Sequence, residues 1–366
     1  MAISRAAYCT REDVQRALDY QETARSDRRV DRAIEAAADA IDGLCHRRFD
    51  VADDTRSWDW PNGQYAVPWR LWLDSDEIIS VTSLVAGGVT VAPGDYLLRR
   101  SDGRDAAPYD HIEINLAGPA SFAAGDTFQQ AIVVTGTWGY RATTSAVGTL
   151  VAAVSSASAT TVDVSSGADV GVGDTLLVDA ERMLVTGRRQ LDTGQTITAD
   201  LGATNAAVSV TVSDGSAFTE DEVILVDSER MLVVDIAGNT LTVKRAWDGS
   251  VLAAHTTSTA VWAARRLKVT RGALGTTPAT HSQAAAVARY APPGLVRDLA
   301  VAEAVVQLLG EQAGYASKGG VSDNARSNTV TTSNIRSYKD ERGVGLSSKR
   351  NQVYERFGRK ARVRAV

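Results

Sequence analysis

Nearly the same eight-residue phrase occurs twice in the chain, and this repetition restricts the possible folds more than any other feature. The copies are VDAERMLV at 178–185 and VDSERMLV at 226–233. The similarity extends outward at a constant offset of 48 residues, so half-unit A at about 161–186 is repeated as half-unit A′ at about 209–234. Both half-units contain strand-like runs separated by glycine, which predicts two copies of one small β-structure.

A second repeat follows at an offset of 26 residues. Half-unit B at about 241–262 and half-unit B′ at about 267–288 match at a leucine, a valine, an arginine, a glycine and a histidine. In the order A, A′, B, B′, a short turn-like link at 235–239 joins A′ to B. We interpret this as a nested duplication, with one β-module inserted into a turn of another, because exposed turns tolerate insertions. The sequence also permits a swapped pairing of A with B and of A′ with B′.

Each phrase carries two carboxylates, which raises the question of a duplicated site. Asp179 and Glu181 lie two residues apart on a presumed strand, as do Asp227 and Glu229, so both side chains of a pair would face one side. Paired carboxylates can bind metal or transfer protons, which keeps a hydrolase open as an alternative. The chain has no nucleophile, phosphate-loop or metal-ligand motif. We therefore expect no enzymatic activity, no catalytic residue, no bound metal and no cofactor.

The phrases are better explained as scaffold. We predict that they form copied strands with exposed carboxylates, and that Met183 and Met231 face a core. His255 and His281 occupy the same position of the repeat. We interpret them as one structural histidine, copied with its module, that fixes a turn.

Helical patterns flank the strand-rich middle of the chain. Thr10 is expected to cap a first helix, with Asp13 near the capping-box position. Residues 26–48 have an apolar stripe, and the segment after Pro292-Pro293-Gly294 is apolar around more than half its girth. Residues 50–142 alternate like strands and contain five tryptophans, which we assign to a core and an interface.

These patterns predict an α+β fold. A split helical domain, with two N-terminal helices and one long C-terminal helix, contains an inserted small β-unit and two nested all-β modules. The expected boundaries are 1–49 with 291–315 for the helical core, 50–142 for the β-unit, 143–160 for a linker, 161–188 with 266–290 for the outer module, 209–262 for the nested inner module, and 316–366 for a polar arm followed by a basic helix.

The net charge of −5 is unevenly distributed. Residues 345–366 contain seven lysines and arginines and one glutamate, so this segment carries +6 and the rest of the chain −11. A basic terminal segment is typical of docking onto an acidic protein surface or nucleic acid, or of a solvated end. No signal peptide or membrane span is recognisable, and Cys9 and Cys45 do not suggest a disulfide framework. We expect an intracellular protein that needs no membrane.

Three segments between the helices carry a family resemblance: WRLWLDSDEIISVTSL at 69–84, GDYLL at 94–98, and a strand ending in GTWGY at 136–140. With the flanking helices and the arm, they resemble the head-to-tail connector proteins of long-tailed phages, the adaptors beneath the portal. The resemblance covers about 1–142 and 291–366. The sequence departs from the family pattern at Trp138-Gly139-Tyr140, and Trp69-Arg70-Leu71 lacks the proline that the family has there. The repeats at 161–290 are similar to small β-modules of phage structural proteins.

The resemblance implies a virion structural protein, made in the host cytoplasm and located in the neck between head and tail. Its implied partners are the portal protein, a stopper or tail-completion protein, and further copies of itself in a ring, expected to be a dodecamer. Double-stranded DNA would pass through the ring without sequence-specific binding.

The resemblance also assigns residues to two surfaces. The C-terminal arm would bind the portal through Ser333, Ile335, Tyr338, Arg350, Tyr354, Arg356, Phe357, Arg359 and Lys360. Acidic residues of the second helix are candidates for the channel wall, where like charge avoids trapping DNA: Asp31, Glu35, Asp39 and Asp42. The alternative is a carbohydrate- or receptor-binding decoration protein, with the tryptophans as stacking platforms.

Overall fold

The computed structural model describes residues 3–18, 27–61, 67–74, 76–103, 106–316 and 345–359. These residues form a mixed α+β structure with four helices and large antiparallel sheets, which confirms the predicted class. None of the helices in these ranges is both long and apolar enough to cross a membrane. The chain divides into two compact units: unit 1 comprises Met1–Asp39, Thr144–Ala273 and Thr277–Lys349, and unit 2 comprises Ala40–Thr143, Leu274–Thr276 and Arg350–Val366.

The helices lie towards the two ends of the sequence and the strands lie between them. The helices are α1 Arg11–Ala17, α2 Asp27–Cys45, α3 Gly294–Ala316 and α4 Leu346–Phe357. The strands of unit 2 are β1 Val51–Trp58, β2 Arg70–Trp72, β3 Ile78–Ala86, β4 Val89–Thr90, β5 Tyr96–Arg99, β6 His111–Ile114 and β7 Ile132–Gly139. Those of unit 1 are β8 Thr144–Thr149, β9 Thr161–Asp163, β10 Thr175–Val178, β11 Glu181–Thr196, β12 Ser209–Thr211, β13 Val223–Val226, β14 Glu229–Ala237, β15 Thr240–Lys244, β16 Ala260–Thr270 and β17 Ala286–Tyr290.

One ten-stranded sheet contains both copies of the repeat. Its order is β12-β15-β14-β13-β16-β11-β10-β17-β8, with β9 paired to β16. β10 of half-unit A pairs with β17 of half-unit B′, while β12 and β14 of A′ pair with β15 of B. The sequence permits two pairings of the half-units, and the structure shows A paired with B′ and A′ paired with B. The long strand β16 serves both modules, because it pairs with β13 of the inner copy and with β11 of the outer copy.

The two modules have matching cores. Buried residues of the outer core include Val162, Val164, Leu176, Val178, Met183, Val185, Leu267, Val269 and Val287. The corresponding residues of the inner core are Val210, Val212, Ile224, Val226, Met231, Val233, Leu241, Val243 and Val261. The burial of Met183 and Met231 confirms the prediction made for them. Apolar burial is thus conserved between the copies at both repeat offsets.

The segment 143–160, predicted as a linker, is instead part of the outer module. It contains β8, which pairs with β17 at the edge of the sheet. Val147, Leu150 and Val154 are buried in the outer core. Its alanine- and serine-rich composition resembles a linker, but the three apolar side chains give it a face to bury.

In unit 1, α1 begins with the expected capping box: Asp13 N bonds the Thr10 side chain, and Thr10 N bonds the Asp13 carboxylate. The start of α1 lies against the turn that precedes β10, where Arg11 N donates to Val172 O and Val172 N to Glu12. Gly171 allows this approach, because a Cβ there would collide with the side chain of Thr10. The turn of the outer module thereby holds the N-terminal segment.

Unit 2 contains a four-stranded sheet, β1-β7-β3-β4, and a three-stranded sheet, β2-β6-β5. Trp60 and Trp138 lie in their common core and are each 2% exposed. From Arg350 onward α4 belongs to the same unit, and the ring of Phe357 packs edge-on against Phe49 and Tyr140, with 5.7 Å between centroids in both cases. The last turn of α4 is thus anchored by an aromatic cluster.

Replacing Phe357 with alanine should lower the free energy of unfolding of unit 2 by about 3 to 5 kcal/mol, because it leaves a cavity beside the rings of Phe49 and Tyr140. Tyr354→Ala on the exposed side of the same helix is the matched control and should change it by less than about 0.5 kcal/mol. Urea denaturation followed by circular dichroism measures both. Equal effects of the two variants would contradict the anchoring of α4 by Phe357.

Candidate functional site

Three of the four acids predicted for a channel wall contact the N-terminal segment of unit 1. Asp31 is buried, and its two oxygens accept hydrogen bonds from Arg11 at 2.9 Å each. Glu35 Oε1 accepts from the backbone N of Ser4 at 2.6 Å and from its hydroxyl at 2.9 Å.

Asp39 forms an ion pair with Arg5, and its side chain is 69% exposed, whereas Asp42 is half-buried. Local partners therefore compensate much of the negative charge on α2. The sequence does not show this, because the partners lie 20 to 34 residues away along the chain.

The described part of the predicted portal-binding surface has two sides. Arg350, Tyr354 and Arg356 are exposed on α4, whereas Phe357 is buried. Arg359 donates a hydrogen bond of 2.8 Å to the backbone oxygen of Asp74 and belongs to the packing of unit 2. The remaining residues of this prediction lie outside the described residues: Ser333, Ile335, Tyr338 and Lys360.

The tryptophans predicted for the core and an interface divide in a similar way. Trp60 and Trp138 are core residues, and Trp58 packs partly buried against them. Trp69 is 39% exposed and Trp72 is half-buried. The buried pair cannot stack on a sugar ring in this fold.

The inner copy of the repeated phrase forms a buried polar network around Glu229, which has no solvent exposure. Arg245 donates Nε and Nη2 to its two oxygens at 2.7 Å each. The backbone N of Ala246 and that of Ala253 donate at 2.9 and 3.0 Å. His255 Nε2 lies 2.9 Å from Oε2. Both oxygens of the glutamate are therefore occupied by groups of its own module.

The outer copy repeats the same geometry around Glu181. Arg271 Nε and Nη2 lie 2.7 Å from the two oxygens, and the backbone N of Gly272 and that of Ala279 donate at 2.9 Å. His281 Nε2 lies 2.9 Å from Oε2. Two separate stretches of sequence thus build the same five-donor arrangement.

The expectation that these carboxylates are exposed strand residues is wrong for the glutamates. Val178 pairs with Glu181 across β10 and β11, so Asp179 lies in a two-residue turn rather than on a strand, with a φ of 52° that aspartate tolerates. Asp179 is exposed, and its Oδ2 lies 2.7 Å from His281 Nδ1. The imidazole of His281 therefore bridges a turn carboxylate and a buried one.

One signal in the sequence could have revealed this network. The glutamate recurs between A and A′, and the arginine and histidine recur between B and B′, so an acid and two bases are repeated together in each module. A buried acid needs a compensating base, and a co-repeated pair of opposite charge is a candidate for that contact.

The network sets the ionisation of both glutamates. Burial alone raises the pKa of Glu229, but the hydrogen bonds from Arg245, Ala253, His255 and Ala246 outweigh it and hold the pKa at about 2. The pKa of Glu181 is likewise about 2. Because the folded pKa lies below the ordinary value, the stability that each ionised carboxylate contributes is present above about pH 4.5 and is lost as the pH falls towards 2.

A further buried ion pair, not predicted from the sequence, joins the two modules. Glu222 precedes β13 and accepts two hydrogen bonds of 2.7 Å from Arg265 of β16 and one of 2.8 Å from the backbone N of Gly167 in half-unit A. Its counterpart in the outer copy is Asp174, in the turn that holds α1. Asp174 has weaker compensation: Gly171 N donates at 2.9 Å, and Arg289 lies 3.7 Å away.

No group of histidine, cysteine, aspartate and glutamate in the described ranges is arranged to hold a metal ion. We found no matching protein-family model, no similar curated protein and no similar solved structure. The hydrogen bonds to both oxygens of Glu181 and of Glu229 assign these two carboxylates to the scaffold. The exposed residues of α4 are the candidate interaction surface.

Replacing Glu229 with glutamine should lower the free energy of unfolding by about 3 to 5 kcal/mol, because it leaves the Arg245 guanidinium buried without a counter-charge. Glu220→Gln, an exposed carboxylate of the same module, is the control and should cost less than about 0.5 kcal/mol. Urea denaturation at pH 7 tests the pair. A loss below about 1 kcal/mol in Glu229→Gln would show that the network is not essential to the module.

Asp174 should respond to pH in the opposite direction to the glutamates. Burial raises its pKa to about 6 despite the nearby Arg289, so its contribution to stability is present below about pH 3.8 and is lost as the pH rises through 6. Asp174→Asn keeps a hydrogen-bond acceptor without the charge. It should match the wild type at pH 4 and exceed it in free energy of unfolding by up to about 3 kcal/mol at pH 7.5. A pH series of urea titrations, with Asp298→Asn as the exposed control, measures the difference; a pH-independent effect would contradict this assignment.

Proposed function

We propose that this chain is a non-enzymatic head-to-tail adaptor of a tailed phage. It forms a ring beneath the portal, expected to be a dodecamer, and links the portal to the stopper or tail in the neck of the virion. Double-stranded DNA passes through the ring. The motif resemblance at 69–140 supports this proposal, together with the arrangement of the helices and the two-sided character of α4.

The helical arrangement supports a split helical domain, with members at 1–49 and 291–315. Arg297 near the start of α3 donates Nη2 to Asp13 of α1 at 2.8 Å and Nε at 3.1 Å. The two residues are 284 positions apart in the sequence, and their ion pair brings the two ends of the intervening segment together. Such a helical domain can accommodate β-structure inserted between α2 and α3, because its helices are held together by contacts in space and need not be adjacent in the sequence.

The observation that carries the proposal is the division of α4 into two faces. Leu346, Val353 and Phe357 are buried, while Arg350, Tyr354 and Arg356 are exposed on the same helix. Tyrosine and arginine are the residue types enriched where protein interfaces derive most of their affinity.

The basic charge of α4 and of the residues after it suits an acidic surface on the portal. Of the candidate channel acids on α2, Asp39 has a mostly exposed side chain and Asp31 a buried one, so Asp39 is the better candidate.

Reversing the charge of α4 tests the portal contact. Arg350→Glu combined with Arg356→Glu should weaken binding to purified portal at least about tenfold, because two attractive charges become repulsive. Tyr354→Ala should weaken it further by removing the aromatic contact. Glu355→Gln, which changes one charge on the same exposed helix, is the control. Circular dichroism verifies folding, and unchanged portal affinity of the folded double variant would refute this use of α4.

A further inference from the structure

One face of the ten-stranded sheet in unit 1 carries uncompensated positive charge. β9, β16 and β11 lie side by side there, and their register places Asp163, Arg266 and Arg189 in one row. Arg266 binds Asp163 through two contacts of 2.8 Å. On the neighbouring strand β11, Arg189 lies directly opposite Arg266. Like charges at directly opposite positions destabilise a sheet.

The next row extends the same face. Lys268 follows Arg266 by two positions on β16, so both side chains point to one side of the sheet. Lys268 is exposed and lies opposite Gly187, which has no side chain to cover it. Within the described ranges neither Arg189 nor Lys268 forms an ion pair. We call Asp163, Arg189, Arg266 and Lys268 the basic face.

The inner module carries the opposite charge at a different place. Glu220 and Asp221 lie in the turn before β13, and Asp221 N donates to Val233 O of β14, two residues before Asp235. All three acids are exposed, and their carboxylates form no ion pair with any described residue. We call Glu220, Asp221 and Asp235 the acidic corner.

The duplication shows that neither charge cluster is required by the module fold. At the repeat offsets, the acidic corner corresponds to Val172, Gly173 and Gly187 in the outer module. The three bases of the basic face correspond to uncharged Ala237, Thr240 and Thr242 in the inner module. The outer copy therefore has only the positive set and the inner copy only the negative set, on backbones that repeat one another.

From this we infer that the basic face of one copy of the chain binds the acidic corner of the next copy. The two surfaces are different, so the contact is head-to-tail, and such contacts produce a ring when the rotation between neighbours closes. Charge complementarity identifies a second copy as the partner, since three exposed acids meet a face with an excess of two positive charges. The closure into a ring rests on the proposed function. The pairing of the basic face with the acidic corner rests on the structure of unit 1 alone.

The experiment is a reciprocal charge exchange in the full-length chain, followed by sedimentation velocity without portal. Variant X carries Arg189→Glu and Lys268→Glu, and variant Y carries Glu220→Arg and Asp235→Arg. Each variant alone should self-associate at least tenfold more weakly than the wild type. An equimolar mixture of X and Y should recover association, because the acidic face of X meets the basic corner of Y and the reverse pair also matches.

Asp126→Arg with Asp298→Arg, an equal charge change at exposed acids elsewhere, is the control and should associate like the wild type. Wild-type association should weaken when the salt concentration is raised from about 50 to 500 mM, because salt screens the attraction between exposed charges. A monomeric wild type, undisturbed association of X or Y, or a mixture that stays monomeric overturns the inference. So does a variant X that self-associates normally but loses affinity for double-stranded DNA, because DNA would then be the partner. Portal binding is measured separately, so a failed adaptor function remains distinguishable from a failed pairing of copies.

Discussion

The buried glutamate–arginine pair of each module is the interaction on which the rest of unit 1 depends. Taking two charges out of water is unfavourable unless the remaining donors and acceptors are also paired. Here Glu229 has five donors, and Arg245 donates its remaining hydrogens to the backbone oxygens of Gly202, Ala207 and Ala253. The pair thereby ties the loops that contain Gly202, Ala207 and Ala253 to the start of β14.

The same principle of compensated charge separates scaffold from surface across the molecule. Glu222 and Arg265 are buried together where the modules meet, and Asp31 is matched by Arg11 beside α2. Within the described ranges, the three acids of the acidic corner and Arg189 and Lys268 of the basic face form no ion pair, and all five are exposed. The role of a carboxylate in this protein therefore depends on whether a base is paired with it. A buried, paired carboxylate belongs to the scaffold, whereas an exposed carboxylate without a partner is a candidate for an interaction surface.

Local and periodic features could be predicted from the sequence, whereas contacts between distant segments could not. The capping box of Thr10 and Asp13 depends on four adjacent residues, and the burial of Met183 follows from strand alternation in an aligned repeat. The burial of Glu181 depends on Arg271, which lies 90 residues away in the sequence. It also depends on the turn between Val178 and Glu181, which removes Asp179 from the strand, so that Asp179 and Glu181 are not two alternate residues of one strand. The strand at Thr144–Thr149 was obscured by composition, because three valine and leucine side chains among many small residues suffice to anchor an edge strand.

The nesting of the modules has a consequence for the order in which the chain acquires structure. Arg245 follows Glu229 by 16 residues, so the ion pair of the inner network closes only a short loop. Arg271 follows Glu181 by 90 residues, and closing a longer loop costs more chain entropy. We expect the inner module to fold first and to shorten the effective separation between the two halves of the outer one. The inserted inner module would then bring the two halves of the outer module closer together, rather than only separating them along the chain.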